Sequence, residues 1–202
     1  MKTIGIFVFD EVEVLDFSGP FEVFSVANRI AMRAGEEAPF TVITVAQSGP
    51  AISARGGYVF QPSHSFATCP AIDVLIVPGG VVDAEYDNPQ VIEWITRVHE
   101  QSSLSTSVCT GTFLLARAGI LSERSATTHW EDADDLAARH PEVTVVRDRL
   151  WVDEGDVVTS AGISAGIEMS LHLVKRLAGE EVAQLTARQM EYNWRNDLRR
   201  PA

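Results

Sequence analysis

Ser105-Thr106-Ser107-Val108-Cys109-Thr110-Gly111-Thr112-Phe113-Leu114-Leu115-Ala116 reads as a strand that turns abruptly into a helix, with a cysteine at the turn. A small residue two positions before a nucleophile and a glycine two positions after it leave room for the sharp turn of a nucleophile elbow, here with Cys in place of Ser. Such a turn lifts the sulfur clear of the sheet. It also leaves it at a helix N-terminus, where unpaired N–H groups and the helix dipole favour thiolate over thiol. The same residues admit a second reading, a buried core cysteine, because free cysteine is among the most buried residue types.

Outward from this turn, short β-rich runs alternate with helical ones. Residues 3–9 predict a buried first strand. Residues 21–33 predict a helix with Ser18 as cap, Pro20 in the first turn and Gly35 as the stop. A second strand follows at 40–46, then a hairpin or irregular excursion over 49–65, rich in Gly, Pro and Ser. The strand at 73–77 ends at Pro78-Gly79-Gly80, and a helix over 89–101 leads into the strand at 104–108. The elbow helix runs to Ala118 and is stopped by Gly119. Residues 130–139 read as a helix, and 143–146, 150–152 and 157–159 as a strand group containing an antiparallel hairpin. An apolar helix over 163–177 closes at Gly179, and an amphipathic one covers 181–194. This alternation predicts an α/β fold: a mostly parallel central sheet with helices on both faces, a three-layer sandwich forming one domain over 1–202.

The totals narrow the function classes. The chain has 202 residues, 46% hydrophobic and 22% charged, with a net charge of −12. That size supports a substantial core. The acidic balance repels phosphate backbones, and the basic Arg199-Arg200 end is short, so nucleic acid is not an expected partner. No apolar run approaches the ~18 residues of a membrane span. Ile4-Gly5-Ile6-Phe7-Val8-Phe9 is too short for a signal-peptide core and runs into Asp10-Glu11. Two cysteines, Cys69 and Cys109, make no disulfide framework, which points to a reducing, cytoplasmic setting.

In such sheets reactive groups gather beyond the carboxyl ends of the strands. Asp16, Gly79-Gly80 and Cys109 each follow a predicted strand and can therefore meet at one edge. Backbone N–H groups of Gly80 and Thr110 are candidates for an oxyanion pocket, although Pro78-Gly79-Gly80 taken alone is equally a tight turn. Asp16, in Leu15-Asp16-Phe17-Ser18-Gly19-Pro20, is by itself more typical of a helix-start charge than of a catalyst. Its apolar flanks allow partial burial, and a carboxyl held against a thiol shares a proton with it. His129, in Ala126-Thr127-Thr128-His129-Trp130, is the histidine available to Cys109 as a base. The histidines form no His-x-His or His-Glu-x-x-His pair, so no metal site is expected. Gly162-Ile163-Ser164-Ala165-Gly166 is not a Walker or dinucleotide fingerprint, and its small residues let a helix pack closely on the sheet. Trp94, Trp151 and Trp194 read as core or interface anchors and Trp130 as pocket lining. Cys69 carries no motif and reads as structural.

Five segments then stand in a familiar order: Leu15-Asp16-Phe17-Ser18-Gly19-Pro20, Val77-Pro78-Gly79-Gly80, Val108-Cys109-Thr110-Gly111, Ala126-Thr127-Thr128-His129-Trp130, and Ser160 through Gly166. Together they resemble the DJ-1/PfpI superfamily, most closely its isocyanide hydratase branch and the amidotransferase-like domains of AraC-type regulators. The likeness covers roughly residues 3 to 190. It implies a flavodoxin-like sandwich that forms a homodimer. It also implies Cys109 as nucleophile, Asp16 as its acidic partner and Thr110 beside them. Backbone at Gly79, Gly80 and Thr110 would face the oxyanion, and His129, Trp130, Gly162 and Ile163 would line the pocket. In isocyanide hydratases the sulfur attacks the terminal isocyanide carbon, the acid manages the proton, water adds to a thioimidate, and an N-formamide leaves. No cofactor is required.

Departures from other branches sharpen the expectation. PfpI-type proteases and several glyoxalase-like relatives place His directly after the nucleophile, where this chain has Thr110. Other branches use Glu as the acidic partner, where this chain has Asp16. The regulators carry a helix-turn-helix region after this domain, whereas this chain stops at Ala202, so DNA binding is not expected. The resulting expectation is a cofactor-free, cysteine-dependent lyase that hydrates a small isocyanide. Two alternatives stand beside it: a redox or small-ligand sensing protein, and glyoxalase- or amidase-like chemistry.

Overall fold

The structure, a computed structural model, describes residues 1–195. Arg199-Arg200 lie outside the described residues. In chain order the elements are β1 (Lys2–Phe7), α1 (Val14–Arg33), β2 (Phe40–Ala46), β3 (Ile52–Ala54), β4 (Tyr58–Phe60), β5 (His64–Ser65), β6 (Val74–Val77), α2 (Asp83–Tyr86), α3 (Pro89–Gln101) and β7 (Leu104–Val108). There follow α4 (Gly111–Arg117), β8 (Ser125–Ala126), α5 (Ala133–Arg139), β9 (Thr144–Val145), β10 (Trp151–Asp153), β11 (Val157–Ser160), α6 (Ala165–Ala178) and α7 (Glu180–Gln189).

One sheet organises the molecule, in the strand order β10-β11-β7-β6-β1-β2-β5. All its pairings are parallel except β10 with β11, the antiparallel hairpin expected from the sequence. Strands β6, β7 and β11 are buried along their whole length, as central strands covered on both faces must be. Helices α1, α6 and α7 pack on one another as one layer, and α2, α3 and α4 as the other. Trp94 of α3 anchors the second layer, its ring stacked on Phe66 at 4.3 Å between centroids. This is the α/β sandwich the alternation of strands and helices predicted, in the flavodoxin-like arrangement.

Several boundaries differ, each for a physical reason. Helix α1 starts at Val14, not at 21, so Asp16 lies in its first turn. Ser18 is not the cap: its hydroxyl donates back to the Val14 carbonyl at 2.7 Å. Pro20 therefore stands inside the helix, where its missing N–H leaves the Asp16 carbonyl without a helical donor. The 49–65 excursion resolves into the β3–β4 hairpin and the edge strand β5. The predicted 130–139 helix divides into a 3-10 turn, Trp130–Asp132, and α5. The 143–146 segment does not join the main sheet, since β9 pairs with β8 in a separate two-stranded ribbon. The last helix ends at Gln189 and not at 194. No helix among the described residues is long and apolar enough to cross a membrane.

Candidate active site

Strand β7 delivers the chain to Cys109, which has φ +56°, a left-handed conformation that side chains other than Gly seldom adopt. Its backbone over-determines that position. The Cys109 N–H donates to the Ser160 carbonyl at 3.1 Å, and its carbonyl accepts the Thr128 hydroxyl at 2.9 Å. Helix α4 begins two residues later, at Gly111, where a Cβ would collide with the Val77 and Pro78 backbone. The sharp elbow expected from the Cys-Thr-Gly spacing is therefore present, with strain concentrated at the cysteine.

Asp16 reaches this point from α1. Its side chain is fully buried, and its Oδ2 accepts the Gly79 N–H at 3.0 Å. Oδ1 has no hydrogen-bond partner. Burial raises the Asp16 carboxyl to about 7, against the opposing pulls of the Gly79 N–H and the neighbouring Cys109 thiol. Burial and then the Asp16 charge push the Cys109 thiol up to about 12, while the Thr110 N–H and hydroxyl act in the opposite direction. This corrects the expectation of a thiolate favoured by the helix terminus. Burial beside a carboxylate outweighs the pull of a seven-residue helix, so the balance favours thiol over thiolate and the Asp16–Cys109 pair titrates jointly.

Thr110 joins this cluster differently from what the sequence suggested. Its Oγ1 accepts the Gly80 N–H and donates to the Gly80 carbonyl, both at 2.9 Å. The Gly79 and Gly80 amides, expected as oxyanion donors, are thus already committed to Asp16 and Thr110. They position those two side chains, and the Thr110 N–H is the backbone donor directed at the sulfur. Gly79 has no space for a larger residue: a Cβ there would lie 2.6 Å from both the Thr110 nitrogen and Oγ1 and 2.9 Å from Asp16 Oδ2.

Cys109 and Thr110 open onto a cavity of about 420 Å³, whose walls include Phe113, His129 and Ile163. His129 lies in the wall with Nδ1 3.3 Å from Asp132 Oδ2. Gly162 stands behind its ring, in the space a Cβ would need, and does not line the cavity. Trp130 is 65% exposed and lies outside the cavity wall, because the 3-10 turn rotates it toward solvent. The structure therefore brings together Asp16, Gly79, Gly80, Cys109, Thr110, His129 and Ile163, and leaves Gly162 and Trp130 out of the cavity wall. Sequence reasoning missed the charged rim. The acidic run Glu131-Asp132 after His129 was a visible signal for part of it, whereas Asp83 reaches the cavity from the start of α2 and Arg55 from the turn between β3 and β4, and neither carried a signal. Among the described residues no group of three or more His, Cys, Asp or Glu side chains could hold a metal ion.

The sequence pattern of the DJ-1/PfpI family matches residues 2–176. The chain belongs to this family. An isonitrile hydratase from Pseudomonas putida is 33% identical over 190 residues, covering 94% of this chain and 78% of that protein. An HTH-type transcriptional regulator, GbdR, from Pseudomonas aeruginosa is 28% identical over 182 residues, 90% of this chain but 48% of the regulator, so the chain spans about half its length. The crystal structure of Drosophila melanogaster DJ-1beta superposes with a TM-score of 0.82 at 21% identity, covering 96% of this chain and 99% of that one. The relatives of this family thus include an enzyme and a transcriptional regulator.

Proposed function

We propose that the protein is a cysteine-dependent hydratase of small isocyanides, working without a cofactor. The observation that carries this reading is the buried Asp16 carboxyl beside the Cys109 thiol, each changing the other's proton affinity. Its similarity to an isonitrile hydratase over most of both chains supports it.

In this mechanism ionised Asp16 takes the thiol proton as sulfur bonds to the terminal carbon of R–N≡C. The same proton is delivered to that carbon, leaving the thioimidate R–N=CH–S–Cys109. Water then adds across the C=N bond, and the C–S bond breaks to release R–NH–CHO, while the sulfur recovers a proton. The sum is isocyanide plus water giving N-formamide. A raised carboxyl pKa suits a group that both takes and returns a proton near neutrality. Thr110 holds the Gly80 loop against the nucleophile, and no histidine adjoins Cys109 to act as in the protease branches. The raised thiol pKa of Cys109 counts against a redox sensor, since oxidation follows thiolate character.

The test is to incubate the protein with an alkyl isocyanide and follow N-formamide. Turnover that disappears in Cys109→Ala is the expected result. Absence of turnover in the unmodified protein, or equal turnover in the variant, overturns the reading. The family resemblance extends the proposal to a homodimer, expected as a two-chain species in sedimentation velocity.

A further inference from the structure

The walls of the cavity above Cys109 are unevenly charged. Its two arginines are each paired already, Arg55 with Glu13 and Arg139 with Asp135, both at 3.6 Å. Arg139 is held further by lying over the Tyr86 and Phe113 rings, 4.2 and 5.4 Å from their centroids. Asp83, Glu131 and Asp132 also face the cavity, and no arginine of the wall is matched to them. His129 is an ion-pairing group beside Glu131 and Asp132, at 3.8 and 3.3 Å. The negative surplus is three with His129 neutral and two with it protonated.

The cavity has a reason to hold a ligand that is independent of these charges. It opens on the nucleophile itself, with Cys109 and Thr110 in its wall and the fully buried Asp16 carboxyl behind that sulfur. A surplus of one sign of charge around a cleft raises the local concentration of counter-ions there, and salt screens it. We propose that the site selects small electrophiles bearing an ammonium group and rejects those bearing a carboxylate or sulfonate. This rests on Cys109 as the nucleophile named above, but not on the isocyanide as its target.

The test uses two methanethiosulfonate reagents of similar size, one ending in trimethylammonium and one in sulfonate. Each transfers its thioalkyl group to a cysteine: a disulfide forms, the reagent's S–S bond breaks, methanesulfinate leaves, and the thiol proton passes to solvent. Peptide mass mapping reads the two cysteines separately, and Cys69 is the internal reference. It carries the same net molecular charge, but its own cavity is lined by Arg97 and by no carboxylate. At low ionic strength the cation-to-anion rate ratio at Cys109 is expected to exceed that at Cys69 by about tenfold or more. It should fall severalfold in about 0.5 M salt, where screening acts within a few ångströms. A similar fall is expected in the double variant Asp83→Asn, Glu131→Gln, and the salt series needs no variant to fold.

A ratio at Cys109 no greater than at Cys69 would overturn the proposal, as would one that neither salt nor the variant changes. Hydration of an uncharged alkyl isocyanide is measured in parallel. Charge preference without turnover removes only the hydratase reading, and turnover without charge preference removes only this one.

Discussion

At the scale of single residues, the chemistry turns on where Asp16 and Cys109 keep their shared proton. The carboxyl is held near 7 by burial and the thiol near 12 by burial and the carboxylate charge, so raising pH first ionises Asp16. The competent form in the proposed mechanism is carboxylate with thiol. The kcat/KM for isocyanide hydration is therefore expected to rise with pH along a limb centred near 7 and then level off. Asp16→Asn removes that limb and lowers the rate by about 10²-fold or more, in the range general acid–base contributions reach. A pH profile of the variant that matches the unmodified enzyme in shape and height would reduce Asp16 to a structural group. The meeting of this pair was legible in the sequence, Cys109 from its elbow spacing and Asp16 from its place after the first strand, whereas the pairing of the two as nucleophile and acid came from the family resemblance. The thiol's protonation was not, because desolvation depends on neighbours from α1, β6 and β11 that no local pattern reveals.

At the scale of elements, the site is a meeting of three strand ends, and the least tolerant joint is the one after β6. Gly79 passes between Asp16 and Thr110, presenting its N–H to the first, while Gly80 is clamped on both sides by the second. A methyl at Gly79 would press on the Thr110 backbone at 2.6 Å and on Asp16 Oδ2 at 2.9 Å. Gly79→Ala is expected to lose about 1–3 kcal/mol of stability, the usual cost of overpacking, in urea unfolding. Its kcat/KM should fall at least about tenfold, since displacement of a proton-transfer group by an ångström is felt strongly in rate. Unchanged kinetics would remove Gly79 from the positioning of Asp16. The same joint explains what was illegible in α1. Ser18 and Pro20 look like a helix start, yet Glu13 and Val14 begin the helix because the Glu13 N–H donates to the Gly79 carbonyl at 2.9 Å. That bond joins segments 66 positions apart in sequence, and with it the first turn and Asp16 are brought to the elbow. Trp130 was misread for a related reason: His129 packs against Gly162, a contact between distant segments, and the 3-10 turn that starts there, closed by the Asp132 N–H on the His129 carbonyl at 3.1 Å, leaves Trp130 exposed.

At the scale of the whole molecule, the parallel sheet and its two helical layers followed from period and punctuation, because strands buried on both faces, such as Val74–Val77, read as unbroken apolar runs. The cost of the site to that fold is a further, measurable consequence. Asp16 has its carboxyl raised in the folded state above the ordinary aspartate value of 3.8, so the folded protein binds this proton more tightly than the unfolded chain does. The associated stability is complete below the unfolded pKa and is lost as pH rises through about 7, an amount of about 4 kcal/mol. Most of it, about 3 kcal/mol, disappears between pH 5 and pH 8. Other groups also titrate, with Glu85 and Glu168 raised and Asp153 and Asp156 lowered, so the total pH dependence does not isolate this residue. The comparison with Asp16→Asn does. An amide of the same shape can still accept the Gly79 N–H but has no charge to bury. Relative to the unmodified protein the variant should therefore gain about 3 kcal/mol between pH 5 and pH 8 in urea unfolding. A stability difference that stays constant over that interval would mean that Asp16 ionises as readily folded as unfolded. Burial would then not be what tunes the pair, and the shared-proton mechanism would lose its physical basis.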